Sequence, residues 1–260
     1  MKRDILNEIV TQNREVLEMK KKGMPFKMVA SLAAGAPERA SFTEAFRGPG
    51  IHVIAELKKA SPSKGMIRED LDVSALAKSL KDAGAAALSV LTEPFFFLGG
   101  LQNLRMAANA VSIPLLRKDF IFDEYQILEA KANGASAILL IAAMLKPDEF
   151  KRLLDFAHEY GLAVLGEAHT ESELEVAASA DLVGVNARDL KTFSTSLERS
   201  AELIAKLNPC GKTVVAESAV RTHEDILMLQ NAGATGFLIG ETLMRAADPG
   251  AKLKELLKCC

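Results

Sequence analysis

The 260-residue chain is predicted to fold as a (β/α)8 barrel with an N-terminal helical extension, one domain over residues 1–260 in which residues 1–50 precede the barrel. Three observations predict it. Eight short apolar runs alternate with helical segments between residues 52 and 240. Three of those segments end alike, KDAGA at 81–85, KANGA at 131–135 and QNAGA at 230–234, and each leads into the next apolar run as a repeated βα unit would. Ionisable residues gather at the C-terminal ends of the runs, where barrels of this class carry their active sites.

The runs are HVIAEL (52–57), AALSVL (86–91), IPLLRK (113–118), AILLIA (137–142), AVLGEA (163–168), LVGVNA (182–187), TVVAES (213–218) and GFLIG (236–240). Each is too short for an independent helix, and most lack the polar alternation of a half-exposed strand. Continuous apolar runs of this length suit parallel strands buried on both faces. The segments between them carry helix signals. DVSALAKSLKDAG opens on an Asp/Ser cap and closes at Gly84; KPDEFKRLLDFAHEYG has Pro147 and two acids in its first turn and closes at Gly161; THEDILMLQNAGA opens on Thr222 with Glu224 and Asp225 at the positive end of the helix dipole. An open doubly wound sheet is the alternative, but it usually has fewer strands, and no GxGxxG follows the first run. Before the barrel, residues 4–22 read as one long helix that must pack somewhere, and a barrel end is one available surface.

Composition sets the outer limits. Hydrophobic residues make up 49% and charged residues 25%, and a chain this long buries roughly three quarters of its unfolded surface without disulfide or metal. The net charge of −2 gives no global basic field for nucleic acid or an anionic membrane. Cys210, Cys259 and Cys260 form no CxxC or zinc spacing, so a reduced, cytoplasmic protein is expected, with the last two in an unstructured tail. The amphipathic N-terminus lacks the apolar core of a signal peptide, and no apolar run approaches the roughly 20 residues that cross a bilayer. After the eighth run about 20 residues remain, so a final helix and no fused second enzyme are expected.

The strand ends supply the chemistry. Glu56 and Lys58 close the first run, Lys118 the third, Glu167 the fifth, Asn186 and Arg188 the sixth, and Glu217 the seventh. Residues i and i+2 of a strand share a face, so Glu56 and Lys58 project together and Lys59 points away; Asn186 and Arg188 would do the same while their strand continues. Three carboxylates, two lysines, an amide and an arginine around one mouth suit general acid–base work on an anionic substrate. The last two strand ends, ESAV and IGET, place small residues where backbone N–H groups can approach a phosphate. His158 and His223 read as surface residues on helices, and His169, two residues after Glu167, as a weaker candidate for function. No group of His, Cys and acids has metal-ligand spacing, so no metal is expected. A Schiff-base lyase using Lys118 or Lys58, and a non-catalytic phosphate-binding barrel, stand as alternatives.

These residues carry a resemblance that runs nearly end to end. ILNEIV at the N-terminus, IAELKKASPSKG, LRKDF, GEAH followed by TESEL, VGVNARDL, AESAV and FLIGETLMR resemble the indole-3-glycerol phosphate synthase family. ASPSKG and LRKDF at the ends of the first and third strands, with NxRDL after the sixth, form a highly specific combination. The resemblance implies cofactor-free ring closure of 1-(2-carboxyphenylamino)-1-deoxyribulose 5-phosphate to indole-3-glycerol phosphate with loss of CO2 and water. It implies a small phosphorylated molecule as the only partner, in a monomer or weak homodimer. By the same resemblance Lys118 is the general acid, Glu167 and Lys58 serve the proton transfers of dehydration, and Glu56 lies in the same cluster. Asn186 orients Glu56 or the substrate hydroxyls. Ser61, Arg188 and Glu217 contact polar or anionic parts of the substrate; Phe97, Phe120, Leu139 and Ile141 wall the aromatic ring; Ser218, Ala219, Gly240 and Glu241 bind phosphate. Three positions depart from the family's usual pattern. Ala219 stands where glycine is usual, Ala187 where another Asn or a Ser is frequent, and the loop after the second strand reads EPFFFLGGL, with Gly100 in place of a serine. The Ala219 methyl disfavours positive φ next to the expected phosphate.

Overall fold

The structure is a computed structural model that describes residues 5–188, 195–207 and 211–258. Cys210, Cys259, Cys260 and the Asp189-Leu190 end of the NxRDL stretch lie outside the described residues. Eight parallel strands close into a barrel in sequence order. They are β1 (His52–Leu57), β2 (Ala87–Leu91), β3 (Leu115–Lys118), β4 (Ala137–Ile141), β5 (Ala163–Ala168), β6 (Leu182–Asn186), β7 (Thr213–Glu217) and β8 (Gly236–Ile239). Each falls within its apolar run. The largest shortening is at β3, where Pro114 carries no N–H for the ladder and the strand starts one residue later.

Two helices, α1 (Ile5–Gly23) and α2 (Phe26–Ala34), precede the barrel. Around it run α3 (Val73–Asp82), α4 (Leu101–Ala110), α5 (Glu124–Ala132), α6 (Pro147–Glu159), α7 (Glu171–Ala177), α8 (Leu197–Leu207), α9 (His223–Asn231), α10 (Glu241–Met244) and α11 (Pro249–Leu257). The cap residues act as their types dictate: Asp72 accepts from the Ala75 N–H, and Thr222 from the Asp225 N–H. The endings KDAGA, KANGA and QNAGA close identically. In each the glycine takes positive φ, and the next N–H bonds five residues back, Ala85 to Leu80, Ala135 to Ala130 and Ala234 to Leu229. That closure satisfies the terminal carbonyls and turns the chain into the following strand. Among the described residues no helix is long and apolar enough to cross a membrane.

Outward strand residues pack against the helix ring, while Ile54, Ala87, Leu116, Ala137, Leu139, Leu165, Leu182, Val215 and Leu238 fill the barrel interior. Phe42 and Phe46 belong to the same interior cluster and plug its N-terminal end. At the other end, α1 carries Ile5, Leu6 and Ile9 over the mouth. The body of α1 is fastened to α5: Tyr125 Oη donates to the carbonyls of Lys20 and Met24, Lys21 pairs with Asp123 at 2.7 Å, and Leu17, Val29, Ala33, Tyr125 and Leu128 share an apolar cluster.

Beneath that fastening lies a charged knot. Arg117 points outward from β3, is only 2% exposed, and bonds to Asp119 Oδ2 at 2.8 Å, Thr92 Oγ1 at 3.0 Å and the Gln126 carbonyl, while Glu129 lies 3.4 Å away. Lys20 of α1 reaches the other oxygen of Glu129 at 2.9 Å. Removing one member of a buried ionic network leaves its partners charged and desolvated. Arg117→Met is therefore expected to lower stability by about 3–5 kcal/mol. Urea denaturation measures this, and Arg117→Lys, without the planar fork, recovers only part of the loss.

Candidate active site

The C-terminal mouth of the barrel opens into a cleft of about 730 Å³. Its floor is set by strand alternation. Glu56, Lys118, Glu167 and Glu217 stand two residues beyond Ile54, Leu116, Leu165 and Val215, each of which belongs to the interior apolar cluster. The four charged residues therefore continue the inward faces of the odd-numbered strands as one polar layer over apolar ones. Two glycines make room for it. A Cβ on Gly184 would lie 2.2 Å from Glu217 Oε1, and one on Gly240 would lie 2.3 Å from Glu56 Oε1.

Lys118 Nζ lies 2.7 Å from Glu167 Oε2 and 3.1 Å from Glu217 Oε2, and Lys58 Nζ lies 2.6 Å from Glu56 Oε1. Three carboxyls thus face two ammonium groups, one negative charge too many for a desolvated layer. Glu217 absorbs the mismatch. Burial is the main reason its carboxyl is pushed up to about 8; the charge of Glu167 adds to the rise, and Lys118 offsets part of it. Although Lys118 is near, neither oxygen of Glu217 closes a well-directed hydrogen bond. Burial would also push Glu167 up, but Lys118 and then His169 override it and bring that carboxyl down to about 2. For Lys118 burial works against the proton, and the carboxylates of Glu167, Glu217 and Glu56 outweigh it and hold the ammonium above the ordinary lysine range.

Every position selected from the sequence lines this cleft: Glu56, Lys58, Ser61, Phe97, Lys118, Phe120, Leu139, Ile141, Glu167, Asn186, Arg188, Glu217, Ser218, Ala219, Gly240 and Glu241. Lys59 is not among the lining residues. Some local contacts differ from expectation. β6 ends at Asn186, and Arg188 instead forms a bridge to Thr195, with its N–H donating back to Asn186 Oδ1 at 3.0 Å. Asn186 Oδ1 also accepts from Ser218 Oγ at 2.8 Å, so its hydrogen bonds run to its neighbours across the mouth and not to Glu56. Of the three phenylalanines only Phe97 lines the cleft, 6.0 Å centroid to centroid from Phe120, while Phe95 is half exposed.

The loops after β1, β7 and β8 form the far side of the mouth. Ser218 and Ala219 both take positive φ, 67° and 65°. Ala219 thus adopts the backbone that glycine would hold without strain, at a cost of roughly 1–2 kcal/mol. The loop after β1 folds as a short ribbon, Ala60–Ser61 against Gly65–Met66, and Arg68 pins it to the carbonyls of Met244 and Ala246 at 3.1 Å. Glu241 draws together three cations: Arg245 at 3.0 Å, Lys64 at 3.7 Å and Arg188 at 3.8 Å.

Sequence reasoning missed several residues that shape the site. Glu93 is fully buried and accepts the backbone N–H groups of Phe95, Phe96 and Phe97 at 2.7–3.0 Å, which folds the phenylalanine loop so that Phe97 faces inward. Its type gave no signal, since an acid after a strand reads equally as a loop charge. Lys64, Ser63 and Arg245 also line the cleft, and Ser63 Oγ meets Arg188 at 3.3 Å.

The chain matches the family model for indole-3-glycerol phosphate synthase over residues 6–256. A protein of that name from Koribacter versatilis (strain Ellin345) is 54% identical over 210 residues, 80% of each chain. Another of that name, from Neisseria meningitidis serogroup B, is 44% identical over 261 residues, 97% of this chain and 99% of the relative. Among solved structures, a mutant tryptophan synthase alpha-subunit from Pyrococcus furiosus superposes with a TM-score of 0.63 at 17% identity, covering 80% of this chain and 98% of that one. A 3-hexulose-6-phosphate synthase does so at 0.64 and 18%, covering 81% and 99%. At these identities the two structures show the shared fold alone.

The Glu217 shift fixes a sign. A carboxyl raised from 4.5 to about 8 on folding contributes stability that is full below pH 4.5 and lost as pH rises through 8, because above pH 4.5 the folded state holds a proton that the unfolded state has released. Glu217→Gln mimics the protonated acid and has no such loss. Its stability relative to the parent chain is therefore expected to rise steadily between about pH 5 and pH 8, as read by urea denaturation at several pH values.

Proposed function

The chain belongs to the indole-3-glycerol phosphate synthase family, decarboxylating lyases of tryptophan biosynthesis, and from that premise we propose how its rim closes the indole ring. The reaction converts 1-(2-carboxyphenylamino)-1-deoxyribulose 5-phosphate to indole-3-glycerol phosphate, releasing CO2 and water. Three things must happen. The ring carbon bearing the carboxylate attacks the sugar ketone, CO2 leaves and restores aromaticity, and the new hydroxyl departs as water with loss of a proton from the neighbouring carbon.

The observation that carries the assignment is the Lys118 ammonium, largely enclosed on the cleft floor between Glu167 and Glu217. As the ring attacks, the ketone oxygen takes on alkoxide charge and becomes far more basic than an amine. Lys118 then gives up its proton downhill even though the carboxylates hold it tightly at rest. The same resting state counts against Schiff-base chemistry, which needs a neutral amine; borohydride trapping on lysine would favour that alternative. Glu167, held ionised, is placed to accept a proton in dehydration, and Lys58, steadied by Glu56, to protonate the leaving hydroxyl.

The rest of the cleft orients the substrate. Phe97, Phe120, Leu139 and Ile141 form a flat apolar slot for the anthranilate ring. The backbone at Ser218, Ala219, Gly240 and Glu241 faces the phosphate, with Ser61, Arg188 and Asn186 toward the polar chain between. The reading needs no more than a monomer or weak homodimer, since the cleft of a single chain already carries an acid–base pair, an apolar wall and a phosphate side. A phosphorylated substrate does not cross membranes unaided, which supports a cytoplasmic enzyme that meets it where it is made.

The test supplies the substrate and follows indole fluorescence. Lys118→Ala and Glu167→Gln are each expected to lower kcat by about 10²- to 10⁴-fold. Lys58→Ala should lose activity, and Lys59→Ala should stay close to the parent. Folded Lys118→Ala turning over at the parental rate would sink the mechanism.

A further inference from the structure

His169 lies just past the end of β5 and is only 7% exposed, yet it does not line the cleft. It stands behind Glu167. Its Nε2 is 3.3 Å from Glu167 Oε1, and its Nδ1 is 3.5 Å from Glu173 Oε2 on α7. Neither ring nitrogen closes a hydrogen bond in this geometry. The backbone clamps the arrangement: the His169 N–H donates to Glu173 Oε2 at 2.7 Å, and Arg199 of α8 donates to the His169 carbonyl at 3.4 Å.

A histidine kept only for packing would not be placed this way. Burying two unsatisfied ring nitrogens carries a desolvation cost that an aliphatic side chain of similar volume avoids. Carboxylate oxygens only accept, so each contact can be closed only by a ring N–H. A base oriented by a ring that is itself oriented by a further carboxylate is a recurring way to fix a catalytic group. The two oxygens of Glu167 are also divided. Oε2 belongs to Lys118 and Oε1 to His169, so rotation of the carboxylate would break both contacts.

We propose that His169, held by Glu173, is a positioning residue that fixes the carboxylate of Glu167 for proton transfer; the proposal rests on the role given to Glu167 above. The electrostatics agree. His169 helps to keep Glu167 ionised, and although burial pushes Glu173 up, its contacts with His169 bring it below the usual carboxylate range.

The experiment measures kcat and KM by indole fluorescence for full-length His169→Ala, His169→Gln, Glu173→Gln and Glu167→Gln, with thermal unfolding of each. His169→Ala is expected to lower kcat by about tenfold or more with KM within about twofold, since the substrate does not touch the ring. His169→Gln should restore much of that loss, because its amide N–H2 reaches the place of Nε2 and can donate to Glu167. Glu173→Gln should lower kcat in the same direction by less. Parental kcat in His169→Ala, beside an inactive Glu167→Gln, overturns the positioning role alone. Joint loss of kcat and thermal stability in both His169 variants assigns the ring to packing and overturns it too. An active Glu167→Gln overturns the role of Glu167 and the proposal with it.

Discussion

The ammonium of Lys118, largely enclosed between Glu167 and Glu217, is the interaction around which the rim is organised. Moving an ion of this size out of water costs several kcal/mol even after the protein relaxes. A pair at about 4 Å returns on the order of 4 kcal/mol at an effective dielectric of 20. One carboxylate would leave the lysine near break-even. The Glu167 carboxylate, with further acids in the same layer, tips the balance toward the charged form. Burial, with the charge of Glu167 added to it, then keeps the proton on Glu217 although Lys118 opposes this. The charge state of the whole floor thus follows from how many acids the closed sheet brings to one lysine.

The sheet brings them by the same two-residue alternation that builds its core. Ile54, Leu116, Leu165 and Val215 fill one interior layer, and the next inward residues on those strands are Glu56, Lys118, Glu167 and Glu217. Apolar core and polar floor are successive layers of one construction, separated by a single rise of the strand. Bulk must then be removed from the strands between. Gly184 and Gly240 do that, since a methyl on either would occupy the space of a carboxyl oxygen.

This explains what was legible in the sequence. Strand alternation and strand ends are local properties, so the eight runs, the pairing of Glu56 with Lys58 and the gathering of acids and lysines could be read directly. The repeated Gly-Ala endings were legible because a left-handed glycine after a helix has one dominant use. Contacts made across loops were not. The bridging of Glu129 between Arg117 and Lys20 spans 109 residues, and no spacing rule announces it. Glu93 and His169 were visible as residue types, but their roles depend on which backbone N–H groups or carboxylates the fold happens to face toward them. Asn186 and Arg188 were expected to share a face only while their strand continues; the strand ends at Asn186, whose side chain turns the backbone by accepting the Arg188 N–H, and both residues still line the cleft.

The two ends of the barrel divide the work. The N-terminal end is plugged by Phe42 and Phe46 over an apolar interior. The C-terminal rim carries the costs: left-handed Ser218 and Ala219, an unsatisfied Glu217 and a histidine ring without hydrogen bonds. Such costs persist only where the surrounding structure over-determines them. Strand β3 shows how. Its Arg117 points outward into the buried knot with Glu129, and Glu129 in turn holds Lys20 of α1. Its next residue, Lys118, points inward to the floor. The same helix α1 lays Ile5, Leu6 and Ile9 across the mouth above that lysine. Apolar cover keeps the local dielectric low, and low dielectric is the condition under which the Lys118 pairs are strong and Glu217 stays protonated. The N-terminal extension is therefore part of the electrostatics of the floor, fastened through the residue adjacent to the one whose charge it protects.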